Sequence, residues 1–161
     1  MNTKIMTSKK PYEERSDLEK VQSQWNKLHG LHSREEWSAA VVRAATATEL
    51  AANFAIRAEF AARSTFEPAL VDKMLRWANG LSGKIRNLLL PLTAAEPKKH
   101  KTIYSLGKRA ERINDTRNAV AHQGEFCSVE EAQAVIEHAR AFILELVQLY
   151  DPEFELTTRK Q

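Results

Sequence analysis

Between Ser33 and Ser64 the chain sets Ala40, Ala44, Ala45, Ala51, Ala52, Ala55, Ala58 and Ala62 at separations of three, four and seven residues. A strand repeats every second residue, so this spacing gathers small side chains on one face only if the segment is helical. A face of methyl groups lets neighbouring helices approach closely. At about 1.5 Å per residue the segment is long enough to form the spine of a bundle. Ser33 and Glu36 stand at capping-box spacing and are read as its start.

The remaining segments carry the same period, and the chain is read as all-α, a four- to five-helix up-and-down bundle. A first helix begins at the Ser16–Glu19 capping box, aligns Leu18, Val21, Trp25 and Leu28, and ends at Gly30. The third starts at Pro68, aligns Leu70, Met74, Trp77, Leu81, Ile85 and Leu88, and stops at Pro91. The fourth, from about Thr102 to His122, has the seam Ile103, Leu106, Ala110, Ile113, Arg117 and Val120. The fifth is introduced by Ser128 and Glu131. It aligns Val129, Ala132, Ile136, Ala139, Ile143, Leu146 and Tyr150, with Val135 and Phe142 widening the face, until Asp151-Pro152. The expected organisation is a flexible arm over 1–15, one helical domain over 16–151 and a frayed tail over 152–161. Trp25, Trp37 and Trp77 fall at core spacings, and packing is favoured over base stacking for each.

Composition removes several function classes. A single cysteine, Cys127, rules out an intrachain disulfide framework or a zinc site built on paired cysteines, and favours a reducing compartment. The longest uncharged stretch, Asn87 to Ala95, falls far short of the roughly 20 apolar residues a spanning helix needs. The first ten residues have no apolar core of an export signal, so no membrane association and a cytoplasmic location are expected. A net charge of +3 is compatible with a polyanionic partner without requiring one. Lys98, Lys99, His100 and Lys101 follow Pro97 in what reads as a solvated loop, suited either to solubility or to phosphate contact.

The chemistry concentrates in Arg117-Asn118-Ala119-Val120-Ala121-His122, followed by Gln123 and Gly124. Arg117 interrupts an apolar seam, where an unused charge is costly. Asp115, Asn118 and His122 share one stripe of the helix with Glu111, whereas Arg117 lies well around the cylinder from His122. A long guanidinium stem and a last turn loosened by Gly124 allow the two to converge, although the spacing does not force it. Such a pair suits RNA cleavage by the neighbouring ribose hydroxyl. Imidazole transfers protons near neutrality and guanidinium grips phosphate by two prongs. Asn118 is placed to orient the imidazole or donate to phosphate, and Asp115 is a weaker candidate for the same support. The scheme needs no metal or cofactor.

The hexapeptide with Gly124 resembles the motif of the HEPN superfamily, all-helical domains whose active members are RNases. The Leu81-Ser82-Gly83-Lys84-Ile85 stretch, the helix leading into the motif and the capped helix after it resemble the order of elements in that family, over roughly 35–150. The resemblance implies a HEPN-like fold with Arg117 and His122 as catalytic residues and Asn118 as the polar residue between them. It also implies a homodimer with a composite cleft, metal-independent cleavage leaving a cyclic phosphate, and a role as a toxin with an antitoxin protein partner or as a phage-defence effector. Some members use an acidic residue on an earlier helix, a place that Glu49 or Glu59 would fill. Helices two and three also faintly resemble mannitol-operon repressor-like helical regulators.

Two other readings stay open. A non-catalytic dimerisation or protein-interaction module would use Arg117 and His122 as contacts, and a regulator would hold nucleic acid through Lys98, Lys99 and Lys101. Tyr104, near the start of helix four, is either a nucleotide contact across the dimer or a partly buried aromatic.

Overall fold

The computed structural model describes residues 10–158, and these are helical throughout their ordered elements with no strand among them. α1 (Asp17–Ser33) and α2 (Trp37–Arg63) form an antiparallel hairpin. α3 (Pro68–Trp77) leads to α4 (Gly80–Lys84), which continues through a π-helical stretch, Ile85–Leu89, into the short α5 (Leu90–Leu92). α6 (Pro97–His122) and α7 (Val129–Val147) complete the bundle. α2 is the spine as expected, packing on α1, α6 and α7. Glu59 meets Lys99 at one end of α2, and Ser38 meets Cys127 at the other, so α2 and α6 run antiparallel.

The alanine face explains how α2 serves three neighbours at once. Ala40, Ala44, Ala51, Ala52 and Ala55 are fully buried together with Ala47, so the chain's small side chains lie where helices approach most closely. Ala45 and Ala58 are half-buried and Ala62 is exposed, because they lie to the side of the buried face, which continues through Ile56 to Phe60. Both Ser16–Glu19 and Ser128–Glu131 form complete capping boxes. The Ser33–Glu36 box does not form. α1 runs past Gly30 to Ser33, whose hydroxyl donates to the Gly30 carbonyl, and Glu35 makes the turn at φ 62° before α2 starts at Trp37.

Three further expectations are corrected. α3, α4 and the π-helical stretch bury Val71, Leu75, Leu81, Ile85 and Leu89, so Leu81 and Ile85 lie in the core as expected, whereas Leu70 is at the surface and Trp77 is 74% exposed. In α3 two apolar lines lie side by side: Val71 and Leu75 are buried, Met74 of the other line packs half-buried against the core, and Leu70 and Trp77 face out. Gly80, at φ 70°, breaks the helix before α4, and the π-helical stretch carries Leu89 into the core beside a half-buried Leu88. The residues after Pro97 are not a loop, since Pro97 is the first-turn proline of α6. The tail does not fray at 152. Leu156 is buried, and Gln22 holds Thr157 by hydrogen bonds in both directions. The end of the N-terminal arm is also docked, with the Gln24 amide donating to the Tyr12 hydroxyl and Arg15 to Ser23. Residues 1–9 of the arm and 159–161 of the tail lie outside the described residues.

Candidate functional site at the end of α6

α6 buries Ile103, Leu106, Ala110 and Ile113, after which the seam passes to Arg117 and the helix leaves the core. Arg117 and Asn118 are half-buried, and His122 is exposed. The end of the helix is pinned from several directions. Gln123 and Glu125 both donate their backbone N–H to the Ala119 carbonyl, and Gly124 takes φ 68° between them. Two residues later the Cys127 backbone donates to the Ser38 hydroxyl at the start of α2, and Ser128 caps α7. The motif therefore sits on a short, fastened corner between two helices. Cys127 itself is buried, and burial, with Glu131 nearby, pushes its thiol pKa up. It is a packing residue.

The gap around the cylinder is closed. Arg117 Nη1 lies 3.2 Å from His122 Nε2 and donates to Asn118 Oδ1 at 3.0 Å. Guanidinium nitrogens only donate, so this contact places the lone pair of a neutral imidazole on Nε2 and its proton on Nδ1. Both Nη1 protons are then engaged. Among the described residues nothing accepts from Nε or Nη2, and no carboxylate lies within salt-bridge distance of Arg117. Those two nitrogens form the side-on fork that binds a phosphate or carboxylate bidentately. Asn118 thus positions the arginine rather than the imidazole, and its own amide N–H groups remain available.

The other expected site residues are not all gathered here. Asp115 is exposed on the same helix, lining a shallow depression with Thr116, Ala119, Val120 and Glu131, and it makes no hydrogen bond to the motif. Glu49 is elsewhere. It pairs with the buried Lys84 and lines a cavity with Asn53, Asp72 and Arg76 into which no motif residue reaches. Counting along the antiparallel helices, Glu49 stands about 12 Å along the bundle axis from the level of Arg117. Glu59 lies farther still, buried at the opposite end, where it accepts from Arg63, Lys99 and the Tyr150 hydroxyl. Burial alone would raise its pKa, but these three donors outweigh that and hold its carboxyl below the ordinary value.

The basic cluster separates in the same way. Lys98 and Lys101 are exposed, whereas Lys99 turns inward to Glu59 and Glu96 and covers the Tyr150 ring. Lys99 is consequently removed as a contact for nucleic acid. Phe126, 97% exposed four residues after His122, was not anticipated; an aromatic among polar loop residues immediately after the glycine is the only signal that marks it. Among the described residues no three His, Cys, Asp or Glu side chains come together as metal ligands. None of the described helices is long and apolar enough to cross a membrane. Comparison with known protein families, with curated proteins and with solved structures finds no match for this chain.

Proposed function

We propose that the protein is a HEPN-type endoribonuclease that cleaves RNA through attack of a ribose 2′-hydroxyl, without a metal ion. The observation that carries the reading is the contact of Arg117 Nη1 with His122 Nε2 at 3.2 Å, on an accessible corner where the arginine has no carboxylate partner among the described residues. The Nε and Nη2 fork of Arg117 holds the scissile phosphate and stabilises charge growing on its oxygens. The bound phosphate draws the guanidinium towards itself, and His122 Nε2 exchanges the arginine proton for that of the 2′-hydroxyl. The O2′–P bond forms as the P–O5′ bond breaks, giving a 2′,3′-cyclic phosphate and a 5′-hydroxyl end. The leaving oxygen takes its proton from the His122 of a second copy across a homodimer cleft, present there as the imidazolium, and proton exchange with water afterwards restores both histidines. An antitoxin protein covering that cleft would silence the activity, consistent with a toxin or defence effector.

Purified protein mixed with RNA in EDTA is expected to yield cyclic-phosphate ends. His122→Ala and Arg117→Ala are each expected to lower the rate by about 10²–10⁴-fold. Cleavage that survives both substitutions refutes the reading. A second reading has its own observation, the almost fully exposed Phe126 beside the motif, which suits a protein-interaction surface. In that case RNA stays intact and Phe126→Ser weakens self-association.

A further inference from the structure

A groove lies outside the motif, between the π-helical stretch and α6. Its volume is about 340 Å³, at the lower end of the range of small-ligand sites. One wall is the π-helical stretch and its flanks, contributing Ile85, Arg86 and Leu90. The other is α6, contributing Tyr104, Gly107 and Lys108. The lining is mixed: Ile85 and Leu90 are apolar, Ser82 and Glu111 complete it, and a Cβ at Gly107 would stand in van der Waals contact with Ile85 Cγ2 at 3.6 Å. The π turn widens the helix by one residue. It keeps Ile85 and Leu89 in the core while Arg86 projects outward, with a side chain 72% exposed. Such turns recur at functional sites.

The chemistry of the rim narrows the occupant. Tyr104 is 59% exposed and offers a ring face at the edge of the groove, with Lys108 Nζ 5.9 Å from its centroid. Lys108 has no carboxylate partner among the described residues, and Arg86 meets Glu111 only loosely, at 3.5 Å with both side chains in water. Apolar patches at Ile85 and Leu90, an exposed aromatic ring with Lys108 over one face, and two solvent-facing cations against the single carboxylate of Glu111 fit a planar base joined to phosphate. Register connects this groove to the motif. Tyr104 and His122 are eighteen residues apart, which is five full helical turns, so both project from the same side of α6 about 27 Å apart. Lys108, Glu111, Asp115 and Asn118 fall along the line between them.

We infer that this groove binds one nucleotide of single-stranded RNA upstream or downstream of the cleaved bond, its base stacked on Tyr104 and its phosphates held by Arg86 and Lys108. The inference rests on the nuclease reading for the identity of the polymer and not for the groove itself. The test measures binding of a fluorescently labelled single-stranded RNA of about twelve nucleotides to the full chain carrying His122→Ala. Tyr104→Ala is expected to weaken binding about tenfold, whereas Tyr104→Phe retains it. Lys108→Ala is expected to weaken it less and to reduce the salt slope by about one. RNA binding that Tyr104→Ala leaves within about twofold overturns the groove, and if the wild-type chain still cleaves, the nuclease reading stands alone. Binding lost on Tyr104→Ala in a protein that never cleaves supports the groove and ends the nuclease reading. A chain that neither binds nor cleaves the RNA ends both.

Discussion

The two ends of α6 both carry cations, and the protein treats them in opposite ways. At the N-terminal end Lys99 points inward and shares Glu59 with Arg63 and the Tyr150 hydroxyl, while Glu96 closes the cluster from the rim by pairing with Lys99 and Arg63. Glu59 is 2% exposed, yet both of its carboxylate oxygens are engaged, by three donors in all. At the C-terminal end Arg117 has two protons engaged by Asn118 and His122, and its remaining fork has no protein acceptor among the described residues. A buried charge must be matched inside the molecule, or folding suffers. A charge left unmatched at an accessible corner costs folding little and stays free for a ligand. A third place gives an internal control. Arg109 meets His138 at 3.2 Å, the same separation as in the motif, but Glu145 lies 4.0 Å from that guanidinium and the contact bridges α6 to α7. An arginine beside a histidine is therefore not enough; what distinguishes Arg117 is the missing carboxylate.

Stability measurements break or sharpen this contrast most directly. Glu59→Ala removes the buried carboxylate that Lys99 and Arg63 share and leaves both cations to Glu96 alone. Because both cations keep some contact with water, the expected loss is about 2–3 kcal/mol, below that for a fully buried pair. Thermal unfolding should fall by roughly 4–12 °C for a chain of this size. His122→Ala is expected to stay within about 0.5 kcal/mol of the parent, as surface substitutions do. Equal losses at both ends, by denaturant melts, would show that the motif is as structural as the Glu59 cluster.

The acid limb of the stability curve sharpens the same comparison with a smaller effect. Burial comes first in holding both the His29 and His138 pKa values below the ordinary 6.5; His32 and Arg140 add to it at His29, and Arg109 and Arg112 at His138. For a depressed pKa the stabilisation is present above the unfolded value and lost as pH falls through the folded one. Loss from the histidines therefore begins as pH drops below about 6.5. Glu59 is also depressed, so its share goes only below about 4.5, together with the capping carboxylates Glu19 and Glu131, which accept backbone N–H bonds from Ser16 and Ser128. Glu59→Gln is expected to shallow the curve below pH 4.5 and leave the limb between 6.5 and 4.5 unchanged, as followed by urea midpoints against pH. A shallower upper limb instead would place the titration elsewhere.

How much of this was legible in the sequence depended on whether the signal was local. The Ser16–Glu19 and Ser128–Glu131 caps, the alanine face and the seam of α6 each declare themselves within a few residues, and the structure has them. Pro97 misled because the same residue that breaks a helix interior also opens a first turn, and nothing local to it separates the two. In α3 both candidate lines were apolar, so local spacing held no information about which one faced in. At the candidate site, the nearness of Arg117 to His122 was permitted but not dictated by their spacing. The assignment of Glu49 failed for a plainer reason. Its partner Lys84 stands 35 residues away in sequence, and no local pattern reports a long-range pair.

The smallest expected effect tests whether the geometry of the corner, beyond its residues, matters. Gly124 sits at φ 68°, and a Cβ built there meets nothing within 4 Å, so the only cost of Gly124→Ala is the left-handed backbone. That cost is about 1 kcal/mol, a shift of roughly 2–4 °C in thermal unfolding. Asparagine tolerates the same conformation better, so Gly124→Asn should recover most of it. If the corner holds His122 against Arg117, RNA cleavage should track this order, falling with alanine and returning with asparagine, while the Glu59 end stays unaffected as read by its acid limb. If Gly124→Ala lowers stability as expected yet leaves cleavage untouched, the imidazole is positioned by Arg117 alone, and the contrast between the two ends of α6 reduces to side-chain pairing without any part for the turn.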